Sequence, residues 1–359
     1  MAKLGDYVKI RTGKLDANAS SENGQYPFFT CAVEPLKIDN YSYDCECVLV
    51  AGNGDLNVKY FNGKFDAYQR TYIIESLNDR VLYVPYLYYF LDKYVETLRH
   101  QSIGGVIKYI KLGNLTDASI PVIGIEKQTG IVKNLKKVDE LIFLRKQQLA
   151  KLDALVNARF VEMFGDPVKN TMDWEIKPLS ELGELNRGVS KARPRNSPEL
   201  LGGPYPLIQT GEVANAKTYI TSFNSTYSEK GLAQSKMWPK GTLCITIAAN
   251  IAQTSILTFD ACFPDSVVGF ISRNMTNELF IHYWFSFFQK ILDEQAPQVA
   301  QKNINLKILS ELNVIVPPLS LQNRFAAFVE RVDQQKRTVL QSLEKLELMK
   351  KALMQEYFG

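Results

Sequence analysis

Apolar residues recur along this chain at two different periods, and the change from one to the other happens twice. Short β-rich runs, "CVLVAG" (47–52) and "RTYIIES" (70–76), are set apart by Gly, Asn and Asp turn signals and predict strands. They lead into "VPYLYYFLDKYVETL" (84–98), whose aromatic and aliphatic residues fall at helical spacing. The order then repeats as "GTLCITIAAN" (241–250), "SVVGFIS" (266–272) and a helix "NELFIHYWFSFFQKIL" (277–292). At a shift of 194 residues "FDA" (65–67) falls on "FDA" (259–261), and "EMFG" (162–165) on "EYFG" (356–359). Sliding 108–165 onto 302–359 without a gap gives 16 identities in 58 positions, Gln128/Gln322, Val138/Val332 and Asp139/Asp333 among them. A repeat of this length has to be read as architecture before any local motif. The chain is two copies of one α+β unit.

The tail of each copy carries a seam at 3.5-residue period. From Ile131, steps of 4 and 3 reach Leu135, Val138, Ile142, Arg145, Leu149, Leu152, Val156, Arg159 and Met163. The shifted series is Phe325, Val329, Val332, Lys336, Val339, Leu343, Leu346, Lys350, Leu353 and Tyr357, and eight of ten positions are apolar in each. Four heptads with Lys, Glu, Gln and Arg elsewhere predict a coiled coil, each helix about 57 Å long at about 1.5 Å per residue. The plainer alternative is two amphipathic helices lying on their own domains. "VPPLSLQN" (316–323) marks the second helix start, with Ser320 as the expected N-cap; in the first copy, "VIGIEKQT" (122–129), Gly124 stands in place of a proline.

Composition adds limits. The 359 residues suggest two or three domains of roughly 150 residues each. No secretory leader and no run of about 18 uncharged apolar residues is present, so a cytoplasmic chain without a membrane span is expected. Five cysteines, Cys31, Cys45, Cys47, Cys244 and Cys262, lack C-x-x-C spacing and are expected to be reduced, strand-buried thiols. The net charge of +4 is not gathered in the mixed regions, where 13 basic side chains meet 14 acidic ones over 1–124 and 14 meet 14 over 166–319.

The chemistry that is missing narrows the function. The two histidines, His100 and His282, have no partners at ligand or triad spacing, and structural or surface roles are expected of both. There is no phosphate-binding glycine motif and no Asn or Asp followed by Pro-Pro and an aromatic, the tetrapeptide of adenine methyltransferases. Catalysis by this chain alone is not expected.

What remains suits nucleic acid. "NRGVSKARPRN" (186–196) brings Arg187, Lys191, Arg193 and Arg195 into one loop with no acid in the segment; "KIRTGKLDANAS" (9–20), with Arg11, Lys14 and a diluting Asp16, is the weaker counterpart. Arginine pairs with phosphates or with the O6 and N7 acceptors of guanine. "YQR" (Gln69, Arg70), "HQSIGG" (Gln101) with Lys108 beyond it, "IQTGE" (Gln209, Thr210), "ANIAQT" (Asn250, Gln253) and "QVAQKN" (Gln301, Lys302) add amides and hydroxyls that can face adenine N6 and N7. A solvated basic loop and ordinary turn chemistry are the competing readings of each; together they predict one lined surface per copy.

With "LGD" (4–6) echoed by "LGE" (182–184), "YP" (26–27) by "YP" (205–206), and "VPPLSLQ" before a heptad helix, the chain resembles, over essentially its whole length, the specificity subunits of type I restriction-modification enzymes. The resemblance implies target-recognition domains at 1–124 and 176–318, coiled-coil helices at 125–165 and 319–359 pairing antiparallel, and a linker at 166–175. The helix-start motif maps onto Pro317, Pro318, Leu319 and Gln322; in the first copy only Gln128 and its apolar neighbours match. It further implies double-stranded DNA as ligand, a bipartite, gapped, asymmetric target, and no catalysis in this subunit. The partners implied are two modification subunits that move a methyl group from S-adenosylmethionine to adenine, often joined by two restriction subunits. No cofactor is expected in this chain itself. Two rivals are an interaction scaffold without DNA contact and a self-sufficient methyltransferase with a degenerate motif.

Overall fold

The computed structural model describes residues 1–248, 251–287 and 304–359. It divides into two compact units, Met1–Gln147 with Val339–Gly359, and Gln148–Thr338.

In the first unit six strands form one sheet: β1 (Val8–Thr12), β2 (Tyr26–Phe29), β3 (Leu36–Ile38), β4 (Tyr43–Ala51), β5 (Val58–Ala67) and β6 (Thr71–Ser76). The order is β1–β6–β4–β5–β2–β3, antiparallel throughout except where β2 runs parallel to β5. Strand β4 is buried on both faces, which is why it reads as an unbroken apolar run. Val48 and Val50 join Tyr86, Leu87 and Phe90 of α1 (Val84–Gln101), while Cys47 and Leu49 join Phe29, Phe65 and Ile73.

The second unit repeats this order and then breaks it. Its first sheet runs β7 (Gly183–Arg187), β15 (Val267–Ser272), β12 (Leu243–Thr246), β13 (Thr254–Leu257), with β9 (Tyr219–Ile220) parallel to β13 at the edge. The neighbours β7, β15, β12 and β13 therefore stand as β1, β6, β4 and β5 do in the first unit. Beyond Leu257 the strand bends at Thr258–Phe259 and resumes as β14 (Ala261–Cys262) in a separate sheet, β10 (Ser225–Tyr227), β8 (Leu201–Leu207), β14, β11 (Met237–Trp238). The "YP" strand runs parallel to "FDA" in the first copy, Phe29 opposite Ala67, and to the residue just after it in the second, Leu207 opposite Cys262. A short helix α3 (Thr210–Asn215) follows β8, and α4 (Glu278–Trp284), capped by Asn277 accepting from Phe280 N–H at 2.8 Å, answers α1. The expected run to 292 is helical through Trp284 and tightens at 285–287; residues 288–292 lie outside the described residues.

Both tails are 40-residue helices, α2 (Ile125–Phe164) and α5 (Leu319–Phe358). Every position of the two heptad series is buried or half-buried, so the 3.5-residue seam is the contact face. In the first unit the start of α2 meets the end of α5: Arg145 Nε donates to Ser342 Oγ at 3.2 Å, and Lys350 pairs with Asp139 at 2.8 Å. In the second unit the end of α2 meets the start of α5, with Phe160 on Phe325 at 5.5 Å and Lys336 on Asp153 at 2.8 Å. The pairing is antiparallel.

The two helix starts are built alike although their sequences differ. Gln128 and Gln322 are fully buried. Gln128 Oε1 accepts from Tyr83 N–H, and its amide donates to the carbonyls of Val81 and Ile123. Gln322 Oε1 accepts from Asn277 N–H, and its amide donates to the carbonyls of Met275 and Pro317. All three partners are related by the 194-residue shift. Gly124 does what Pro318 does, since each carbonyl accepts from the backbone N–H of its glutamine. The expected N-cap role of Ser320 is corrected: α5 opens at Leu319, and Ser320 lies exposed in its first turn.

All five cysteines are free, with Cys47, Cys244 and Cys262 buried. Among the described residues no helix is long and apolar enough to cross a membrane.

Candidate nucleic-acid interface

In the first unit the candidate residues lie around one end of the sheet, tied by backbone hydrogen bonds. Gln69 N–H donates to Leu15 O at 2.9 Å, Gly52 N–H to Arg70 O at 2.7 Å, and Gly54 N–H to Lys108 O at 2.9 Å. Glycine is required at 52, because a Cβ there would sit 2.4 Å from the Arg70 carbonyl oxygen. Lys14, Gln69, Arg70 and Lys108 are all exposed at this edge, and the Gln69 amide is steadied by Asp16 at 2.7 Å. Gln101 is the last residue of α1, and its amide oxygen accepts from Asn114 at 3.1 Å.

Arg11 is differently placed. It lies in β1 rather than in a loop, and its guanidinium meets Glu75 at 2.8 Å and stacks over the Tyr43 ring at 4.7 Å. Burial, then Glu75, pushes the adjoining Cys45 thiol up. This cluster ties three neighbouring strands, β1, β6 and β4, and leaves Arg11 little freedom.

In the second unit the basic loop is shaped by contacts that its own sequence does not contain. Gly188 sits where a Cβ would meet Phe263 O at 2.3 Å, and Gln234 Oε1 accepts from both Lys191 and Ala192 N–H, at 2.7 and 2.9 Å. Arg193 donates to Ser190 O and Ala192 O. Asp265 reaches the loop from the turn before β15, 2.5 Å from Arg195 and 3.8 Å from Arg193. The segment without an acid is thus half neutralised by one 70 residues away; "FPDS" (263–266) reads only as a turn and gives no local signal for this. Arg187, at the end of β7, and Lys191 remain exposed and outside any ion pair among the described residues.

Beside the loop opens a cavity of about 290 Å³, lined by Arg195, Gln209 and Thr210 together with Ser190 and Asn196. The Gln209 backbone N–H is capped by Glu212 at 3.1 Å. Sequence reasoning missed Ser190, which stands inside the basic loop without a basic or amide side chain to draw notice. Gln253 is elsewhere, on a pocket of about 590 Å³ with His282, Lys336 and Asp153. The expectation of one lined surface is therefore corrected for this unit: Gln253, just before strand β13, lines a pocket with Asp153 of α2 and Lys336 of α5. Asn250, Gln301 and Lys302 lie outside the described residues.

At the Gln253 pocket, burial above all, then the nearby Lys336 charge, pushes His282 down to about 4, and its Nδ1 lies 2.9 Å from Thr254 Oγ1. Burial alone would raise Asp153, but Lys336 and Lys217 more than offset it and hold its carboxyl below the ordinary range. Both expectations for histidine, structural or surface, fit what is seen, His282 being half-buried against Thr254 and His100 exposed.

The family model described as type I restriction modification DNA specificity domain matches residues 1–154 and 171–348. The EcoDI specificity subunit of a type I restriction enzyme from Escherichia coli is 28% identical over 360 positions, covering 92% of this chain and 80% of the relative. The MjaVIII specificity subunit from Methanocaldococcus jannaschii is 22% identical over 216 positions, 57% of this chain and 50% of the relative. Among solved structures, a type I restriction-modification S subunit from M. genitalium superposes with a TM-score of 0.63 at 16% identity, over 100% of this chain and 95% of that one. A chain from a structural study of assembly and conformational transition in a type I system gives 0.60 at 17% identity, over 99% and 96%.

Proposed function

Because this chain belongs to the family of type I restriction-modification DNA specificity subunits, we propose that residues 1–124 and 176–318 are target-recognition domains, each reading one half of a bipartite, gapped, asymmetric site on double-stranded DNA. The observation that carries the reading is a duplicated mount with unlike heads. Gln128 and Gln322 make the same three bonds, while the basic residues above them differ, Arg11 being bound to Glu75 and Arg195 lying on a cavity beside Asp265. Like mounts suit two copies of one partner, and unlike heads suit two different half-sites.

In this reading the partners are two modification subunits, which bind S-adenosylmethionine and methylate adenine, and two restriction subunits where the system cuts DNA. This chain contributes no catalytic group. The 40-residue helices α2 and α5 act as a ruler that fixes the gap between half-sites. Lys14, Gln69, Arg70 and Lys108 in the first domain, and Arg187, Lys191, Gln209 and Thr210 in the second, are the proposed DNA contacts. With near-balanced charge in each domain, the isolated chain is expected to bind DNA weakly, the modification subunits completing the grip.

The test is a genome-wide map of methylated adenines with and without this gene. Loss of one split motif on deletion is the expected result. A map unchanged by deletion would leave the scaffold reading standing; a gel shift with genomic DNA, with and without the co-purified modification subunit, would then check it.

A further inference from the structure

The cavity beside the basic loop of the second head has features that a groove-reading surface does not need. Ser190 is 7% exposed, and its Oγ has no hydrogen-bond partner although it lines the cavity. A buried hydroxyl left without a partner carries a desolvation penalty, and native structures keep few of them without a function. Around it the walls divide by chemistry. Leu207 and Tyr227, 4% and 2% exposed, give an apolar side; the Asn196 amide and the Thr210 hydroxyl, bonded to no other described residue, give a polar one. The one cation on the lining, Arg195, is held by Asp265 at 2.5 Å.

That pairing argues against a phosphate, because an anion site would leave its arginine free. What fits is a neutral, flat ligand with hydrogen-bonding edges and apolar faces. Within the proposed function, on which this inference rests, DNA supplies such a group in its bases. A base stacked in a duplex shows only its edge to the groove, and a concave cavity of about 290 Å³ admits one only after it leaves the stack. We propose that the second head takes one nucleobase of its half-site out of the helix into this cavity, where the Ser190 hydroxyl and the Asn196 amide read its polar edge. Specificity at that position then comes from a pocket, whereas neighbouring positions are read in the groove.

The test uses the full chain assembled with its modification subunits. Ser190→Ala removes only a hydroxyl that has no partner, so the fold is kept, and Asn196→Ala is an exposed change. Methylation maps with each variant are expected to relax one base position in one half-site and leave the other half-site intact. Duplexes are then made with that base retained and its opposite base mismatched, which lowers the cost of unpairing. The wild-type complex is expected to bind the mismatched duplex several-fold more tightly than the paired one, and the double variant to lose that gain. An unchanged motif in both variants, or equal or weaker binding to the mismatched duplex, would overturn the pocket while leaving the specificity function standing. A gene whose deletion changes no methylation would overturn both.

Discussion

The ring of Phe358 lies 5.1 Å from that of Tyr86. The ring of Phe164 lies 5.0 Å from that of Phe280, and both pairs are the same pair shifted by 194 residues. The recurrence of "EMFG" as "EYFG" is thereby explained: each helix ends in an aromatic plug for the core beside it. Phe358→Ala and Phe164→Ala are each expected to cost about 3–5 kcal/mol, but in different units. Trp174, Trp238 and Trp284 all belong to the second unit. In a guanidinium titration Phe164→Ala should lower the midpoint seen by tryptophan fluorescence. Phe358→Ala should lower only the midpoint seen by far-UV circular dichroism. A matching fall in the fluorescence midpoint with Phe358→Ala would show that the units unfold as one.

Gln322 is bonded on both sides of its amide, so the two ways of removing it differ. Gln322→Leu strands the Asn277 N–H and two carbonyls and is expected to destabilise by about 2–5 kcal/mol. Gln322→Glu keeps the acceptor but sets a carboxylate against the carbonyls of Met275 and Pro317. Its folded-state pKa must rise above the ordinary value of about 4.3. The penalty is then largest where the group should be ionised, and it eases as pH falls toward that value. Urea midpoints at pH 5 and pH 8, compared with wild type, should show the larger deficit at pH 8; equal deficits would refute the assignment.

Much of this is legible in the amino-acid sequence. The heptad seam marks which face of each long helix is covered, whether against its partner helix or its own domain, and a uniform shift exposes the duplicated strand order. The junctions were harder to read. Gly124 looked like a departure from Pro318, yet only the carbonyl matters there, and every residue has one. Asp265 could not be foreseen as the partner of Arg195, since the pairing depends on where a turn 70 residues later returns.

His282 makes the second unit sensitive to acid. Held neutral by burial, it refuses protons until about pH 4, while in the unfolded chain it takes one near pH 6.5. Its contribution is whole above about 6.5 and falls as pH drops toward 4, by up to roughly 1.4 kcal/mol per unit. Lys336 and Asp153 line the same pocket, Asp333 pairs with Lys336, and all three remain in place in His282→Gln. Subtracting the variant's stability curve from the wild-type curve should isolate a slope confined to that window. A difference that stays flat would place the histidine in contact with solvent.

Asp265 restrains the two arginines beside the cavity mouth. Asp265→Asn is expected to free Arg193 and Arg195 for phosphate contact and raise affinity for unrelated DNA. Each new contact should steepen log K against log salt by about 0.9. A filter-binding series across salt concentrations, using the complex with modification subunits, measures the slope. An unchanged slope would show that these arginines do not reach the backbone.

The ruler can be lengthened without touching either head. One heptad added to α2 and one to α5 at the Arg145–Ser342 pairing restores the seam, since seven residues make two turns of a 3.5-residue period. The insertion adds about 10 Å of helix, close to three base pairs at about 3.4 Å each. The methylation map should keep both half-sites and gain about three base pairs of spacer. Three residues inserted in each helix instead rotate the seam out of register, so apolar positions turn to solvent and methylation should be lost. If the heptad variant methylates the original spacing, the helices do not set the gap, and the spacing must come from the modification subunits.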